Sequence, residues 1–316
     1  MSVKTTPAMV KELRERTQAG MSDCKNALDE AGGDMDKAVE VILKKGIVKA
    51  ASRAGRVAAE GEVRTQVASD AKRGTIIEVN CQTDFVARGE DFRTFVGNVL
   101  GVAATLESGA DLGQKTYPGT SSSIDLYRQE MVAKTGENTV IRRWDVIKAQ
   151  PNGLVHSYIH MGGKLGVLIS ASASSPAALA DKAFLEFIDN TAMQIAAMSP
   201  LVVGKEQISD KDVAKQKEIY EAQMKEEKAA GTLKAPEASW PKIMDGKVAK
   251  WFTEVTLLGQ DSVTTPGSTI DKLRQELGKT LGGDVKIDGF LRFGVGDGIE
   301  KKTDDLAAEV AKMTAG

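Results

Sequence analysis

Few residues in this chain have the type and spacing that bond chemistry requires. The two histidines, His156 and His160, stand four apart, the spacing at which a helix presents two imidazoles to one zinc ion. The adjoining glutamate of that motif is missing from His156-Ser157-Tyr158-Ile159-His160. The segment also alternates like a strand, which sets the two rings about 13 Å apart along the chain. No metal site is expected. Gly278-Lys279-Thr280 ends like a phosphate-binding loop, but that loop needs a glycine five residues earlier, where Leu273 stands in a helical stretch. Gly294-Val295-Gly296-Asp297-Gly298 follows a strand-like run, yet no βαβ unit comes after it. A turn out of the strand accounts for it. With no nucleophile beside a base, no metal cluster and no cofactor loop, the expectation is a protein with no catalytic residue and no cofactor.

One stretch stands apart. In Asn80-Cys81-Gln82-Thr83-Asp84-Phe85-Val86-Ala87-Arg88 a β-branched, apolar run leads straight into a polar corner that carries a large aromatic. Thr83 or Asp84 is placed to cap a following helix by accepting a bond from one of its free N–H groups. Phe85 then falls in the first turn, and two readings stay open. It staples onto the core, or Asp84 and Phe85 protrude as a charged and aromatic anchor of the kind that dominates interfaces.

Composition narrows the classes of function. Across 316 residues, 41% apolar and 27% charged, 42 Lys and Arg meet 44 Asp and Glu for a formal charge of −2. No overall positive field exists to neutralise phosphates, so direct nucleic-acid binding is not expected. Cys24 and Cys81 form no C-x-x-C pair, and no apolar run approaches the roughly 20 residues that cross a bilayer. A cytoplasmic protein without a membrane partner is expected.

Helix-spaced apolar positions in residues 7–45, broken at Gln18-Ala19-Gly20 and Gly32-Gly33-Asp34, predict three short helices, with Ser22 or Asp34 as caps. Their core is small, so the bundle is expected to lean on another element. Lys49 to Glu60 reads as a connector. A hairpin (61–68 and 75–80), helices at 92–106 and 124–134 and a strand at 139–148 follow, with 107–123 a loop. The order then recurs: a hairpin at 154–159 and 165–170 around Met161-Gly162-Gly163-Lys164, helices at 177–198 and 270–281, and a strand at 285–295. Two ββααβ units imply an α+β core by duplication. Between the second unit's helices lie Lys- and Glu-rich residues 205–250, where Val213, Tyr220 and Met224 face Trp240, Met244, Val248 and Trp251 across a reversal at 231–236. That pattern predicts an antiparallel coiled-coil arm. A short amphipathic helix is expected from Glu300 to Met313.

The chain resembles the elongation factor Ts family, the guanine-nucleotide exchange factors of the translation GTPase elongation factor Tu. The likeness is carried by Val10-Lys11-Glu12-Leu13-Arg14-Glu15-Arg16-Thr17, Gly20-Met21-Ser22-Asp23-Cys24-Lys25, Glu78 through Ala87, Gly136-Glu137-Asn138, Ile141-Arg142-Arg143 and Gly296-Asp297-Gly298-Ile299-Glu300-Lys301. It implies a ubiquitin-associated-like N-terminal domain with its connector (1–54) and a core of two subdomains (55–150; 151–204 with 251–296). It also implies the coiled-coil insertion (205–250) and a C-terminal helical module (297–316). It further implies a mechanism. Asp84 and Phe85, flanked by Thr83 and Val86, enter the GTPase's nucleotide-binding domain and disturb its magnesium and phosphate site so that GDP leaves. Arg14, Met21 and Lys25 match the family's N-terminal contacts, Gly136 a glycine after the second core helix, and His160 the histidine of the second hairpin; Val263 lies in a region that also touches the partner. The expected partner is elongation factor Tu, GDP-bound and nucleotide-free, with self-association through the arm as a further expectation.

Overall fold

The computed structural model describes residues 4–17 and 19–300. Three helices come first, α1 (Pro7–Thr17), α2 (Met21–Glu30) and α3 (Met35–Arg53). The Thr6 hydroxyl accepts the Met9 N–H at 3.3 Å, and Pro7 at the first helical position sacrifices no bond. Asp34 caps α3 through the Lys37 N–H at 3.1 Å, and that bond holds its carboxyl below the usual aspartate value. Ser22 lies inside α2, whose cap position is Gly20. Val10, Leu13, Cys24, Ala27, Leu28 and Ala38 form a small buried core. Residues 49–53, expected as connector, continue α3. The bundle does lean on a neighbour: α3 packs against a later helix, α6 (Ile124–Thr135), where Arg53 Nη1 donates to the Val132 carbonyl at 3.1 Å.

Strands β1 (Glu60–Val67) and β2 (Arg73–Cys81) precede a five-residue helix α4 (Asp84–Arg88), then α5 (Glu90–Ala103), α6 and β3 (Thr139–Lys148); the sheet order is β1-β2-β3. Alternate residues of β2, Ile77, Val79 and Cys81, meet Phe92, Phe95, Val96 and Val99 of α5 and Ile124 of α6 in a common core. Burying each large apolar side chain there contributes about 1.5–3 kcal/mol. Residues 107–123 are loop as expected, but Leu112 and Tyr117 turn inward, and Tyr117 stacks on Tyr127 with ring centres 3.7 Å apart.

The second half repeats the order with β4 (Gly153–His160), β5 (Leu165–Ala173), α7 (Pro176–Leu179), α8 (Lys182–Met198), α9 (Asp210–Ala229), α10 (Trp240–Val255), α11 (Ile270–Thr280) and β6 (Val285–Gly294); the sheet order is β4-β5-β6. β4 and β5 are antiparallel, from Gly153 opposite Ser172 to His160 opposite Leu165. Val167 and Ile169 pack on Phe184, Ile188 and Ile195 of α8. The helix expected over 177–198 is two helices. Ser175 caps the first, and Asp181 caps the second by accepting the Ala183 N–H at 2.8 Å. α9 and α10 fold back on each other, with Met224 and Val248 buried and Lys247 lying 5.6 Å from the Tyr220 ring centre. α10 runs on to Val255, past the expected end of the arm.

The described residues divide into two compact units, one formed by those up to Arg64, Ile77–Trp144 and residues 294–300, the other by Thr65–Ile76 and Asp145–Phe293. The helix expected from Glu300 to Met313 lies, beyond Glu300, outside the described residues.

Candidate functional site

At the end of β2 the chain leaves the sheet through Gln82 and Thr83 and enters α4. Thr83 is extended (φ −121°, ψ 157°), and its hydroxyl accepts the Val86 N–H at 3.4 Å. Thr83, rather than Asp84, is therefore the cap. Asp84, in the first turn, pairs with Arg88 at 3.0 Å, an i, i+4 contact on the surface. Ala87 is buried and Val86 packs against the same core as β2 and α5. Phe85 points the other way and is 84% exposed, the highest exposure among the large apolar side chains described. A helix of about one and a half turns with one face buried must direct the residue between Asp84 and Val86 outward. The core-staple reading of Phe85 is thereby excluded, whereas Val86, expected among contact residues, faces inward.

The corner is held from across the fold. Glu137 grips Thr83 with both carboxylate oxygens, Oε1 accepting the hydroxyl at 2.6 Å and Oε2 the backbone N–H at 2.9 Å. Next to it, the Asn138 N–H donates to Gln82 Oε1 at 2.9 Å, and the Asn138 amide donates to the carbonyls of Arg56 at 2.9 Å and Ala54 at 3.3 Å. Gly136 ends α6 in the left-handed conformation (φ 80°), which a residue with a Cβ adopts only at a cost. Upstream, Glu78 of β2 is fully buried and accepts from Arg142 Nη1 at 2.9 Å, Arg143 Nε at 2.6 Å and the Gly296 N–H at 2.7 Å. Arg142 also donates to the Asp297 carbonyl and Arg143 to that of Gly294. The glycine-rich segment 294–298 is thus a turn stapled to β2, as its sequence implied.

The remaining expected residues are distributed. Arg14 on α1 and Met21 and Lys25 on α2 are exposed, and Met21, half in solvent, is a large apolar side chain at the start of its helix. These and Gly136 belong to the same unit as Phe85. His160 and Val263 belong to the other unit and are also exposed. His160 ends β4, its Nδ1 3.0 Å from the Tyr158 hydroxyl, while His156 bonds Asp189 at 3.0 Å. The two imidazoles thus have separate partners, and no group of three or more metal-ligating side chains converges among the described residues. No helix among them is long and apolar enough to cross a membrane.

The family model described as Elongation factor TS matches residues 82–297, which begin at this corner and end at the stapled turn. Curated relatives named Elongation factor Ts match over almost their whole length. That of a Nitratiruptor species is 45% identical over 307 residues, 96% of this chain and 97% of the relative. The chain belongs to the elongation factor Ts family. The Clostridium perfringens relative is 43% identical over 312 residues, 98% of each chain, and that of Bdellovibrio bacteriovorus 41% over 318, 100% of each. The family likeness therefore spans the N-terminal bundle as well as the matched core. Glu137 and Glu78 carry contacts at the corner that the sequence reading did not assign. Both work over long chain separations, 54 residues for Glu137 and 64 for Glu78 with Arg142, so no local spacing announces them.

Proposed function

We propose that this chain is a cytoplasmic translation elongation factor that exchanges guanine nucleotide on elongation factor Tu. It binds the GDP-bound GTPase, inserts Asp84-Phe85 into the nucleotide-binding domain, and disturbs the magnesium and phosphate site so that GDP leaves and GTP can reload. The observation that carries this reading is Phe85, held in solvent on a capped, core-anchored turn. A fully buried phenylalanine contributes about 1.5–3 kcal/mol, and one already fixed in place loses little further freedom on binding. Arg14, Met21 and Lys25 of the 1–54 module, together with Gly136, His160 and Val263, extend the contact in this reading. The arm, inserted in the second core subdomain, offers a coiled-coil surface for self-association.

The proposed factor makes and breaks no bond. It needs no phosphate cradle of its own, because the GTPase holds the nucleotide and the factor need only favour the empty form. Linkage then demands reciprocity: the factor by which this chain weakens GDP on the GTPase equals the factor by which GDP weakens this chain. The cellular supply of GTP and GDP sets the direction. Calorimetric titration of the chain into GDP-bound and nucleotide-free elongation factor Tu tests this. Tighter binding to the empty form, by the same ratio as the loss of GDP affinity, is expected. Equal affinity for both forms would remove the thermodynamic basis of exchange.

A further inference from the structure

Resting on the reading of Phe85 as the inserted side chain, we infer that Glu137 is a positioning residue for exchange: it sets the aim of α4 and so of Phe85. A five-residue helix has too few internal bonds to hold its own direction, since even isolated helices of about 12 residues are marginal in water. Its orientation must come from outside. One outside constraint is packing of Val86 and Ala87 on the core, which fixes which face is buried, together with the contacts of α4 with α5. The second constraint is the Glu137 fork on Thr83, at 2.6 and 2.9 Å.

The fork acts through the cap. Because the Thr83 hydroxyl gives its hydrogen to the carboxylate, its lone pairs are turned toward the helix, where one accepts the Val86 N–H. The backbone N–H of Thr83 is locked by the other carboxylate oxygen. Charge-assisted bonds of this kind are about twice as strong as neutral ones. Glu137 is itself fixed on both sides. Before it, the Gly136 N–H closes α6 on the Val132 carbonyl at 3.0 Å. After it, Asn138, only 3% exposed, ties residue 82 to carbonyls 54 and 56. The hub 136–138 thus joins the end of α6, the chain leaving α3 and the base of the Phe85 turn.

The test is GDP release from elongation factor Tu over a range of factor concentrations. It compares wild type, Glu137→Ala, Glu137→Gln, Thr83→Val and Phe85→Ala. Losing the fork should cost about tenfold in the release rate at saturating Glu137→Ala. The half-saturating concentration should change less than about threefold, because the contact surface itself is kept. Glu137→Gln, which keeps the shape and one acceptor, should fall between, and it carries the test if Glu137→Ala does not fold. Thr83→Val, which removes the hydroxyl that the fork holds, should behave like Glu137→Ala. Amide hydrogen exchange at Val86 should quicken in Glu137→Ala while the amides of β2 stay protected. A wild-type saturating rate in Glu137→Ala, or a loss confined to half-saturation, overturns the inference. A wild-type rate in Phe85→Ala overturns instead the reading it rests on, so the two failures are distinct.

Discussion

Glu78 is the buried charge on which the corner's upstream support depends, and removing it should destabilise the first unit by about 4 kcal/mol. Its side chain is fully buried and accepts from Arg142, Arg143, Asn80 and the Gly296 N–H. In Glu78→Ala the Asn80 amide keeps the Glu60 carbonyl as partner at 3.2 Å. The Gly296 N–H loses this acceptor, a penalty of about 1–3 kcal/mol when a donor is stranded. Two guanidinium groups lose the Glu78 carboxylate. Breaking a fully buried pair costs about 3–5 kcal/mol, but these side chains are 25% and 34% exposed and rehydrate in part, so roughly half of that applies. Glu78→Gln keeps the volume and an acceptor and should lose about half as much. Trp144 follows Arg143 and packs on the β2 core, so it reports on this unit once Trp240 and Trp251 are replaced by phenylalanine. Urea unfolding followed by Trp144 fluorescence gives the shift at constant slope. A Glu78→Ala variant within about 0.5 kcal/mol of that background would refute the assignment of Glu78 as the organising charge.

Two further perturbations follow from the same packing. Burial pushes the Tyr117 hydroxyl up to about 12 against the opposing effect of Asn98. Its folded value lies above its unfolded one, so the stability it contributes is full below about pH 10 and is lost as pH rises toward 12. Tyr117→Phe should flatten that part of the denaturation-versus-pH curve, and an unchanged slope would contradict the burial argument. Gly136→Ala meets no atom closer than 4.0 Å, so its cost is that of the left-handed backbone, about 1–2 kcal/mol, read as a lowered melting temperature. A drop several times larger would mean that the hub 136–138 had been displaced.

The elements were legible where periodicity and caps are local. The three-helix start, both hairpins and the long core strands and helices around them follow from apolar spacing and from turn glycines. The helix expected over 177–198 divides because Asp181 offers its carboxylate to the backbone just ahead of a new helix, a competition that the alternation of apolar residues does not register. α3 absorbs the start of the expected connector, because alanine and basic residues favour helix even without an apolar stripe. At the site, Phe85 was legible as a residue of one of two kinds, and the choice turned on where the apolar neighbours Val86 and Ala87 pack. Glu137 lies 54 positions from Thr83, and a pairing across that distance leaves no trace in spacing. Family resemblance supplied the mechanism, which residue pattern alone did not contain.

In the proposed function an exposed phenylalanine on a fixed turn drives nucleotide release. Stopped-flow dissociation of fluorescent GDP from elongation factor Tu, with wild-type chain and with Phe85→Ala, tests it most directly. Phe85 is 84% exposed, so Phe85→Ala should unfold within about 0.5 kcal/mol of wild type, far from the roughly 3–5 kcal/mol typical of a core phenylalanine. Rapid release is expected with wild type and a loss of at least about tenfold in this folded variant, the equivalent of about 1.4 kcal/mol. Equal acceleration by wild type and Phe85→Ala would contradict it.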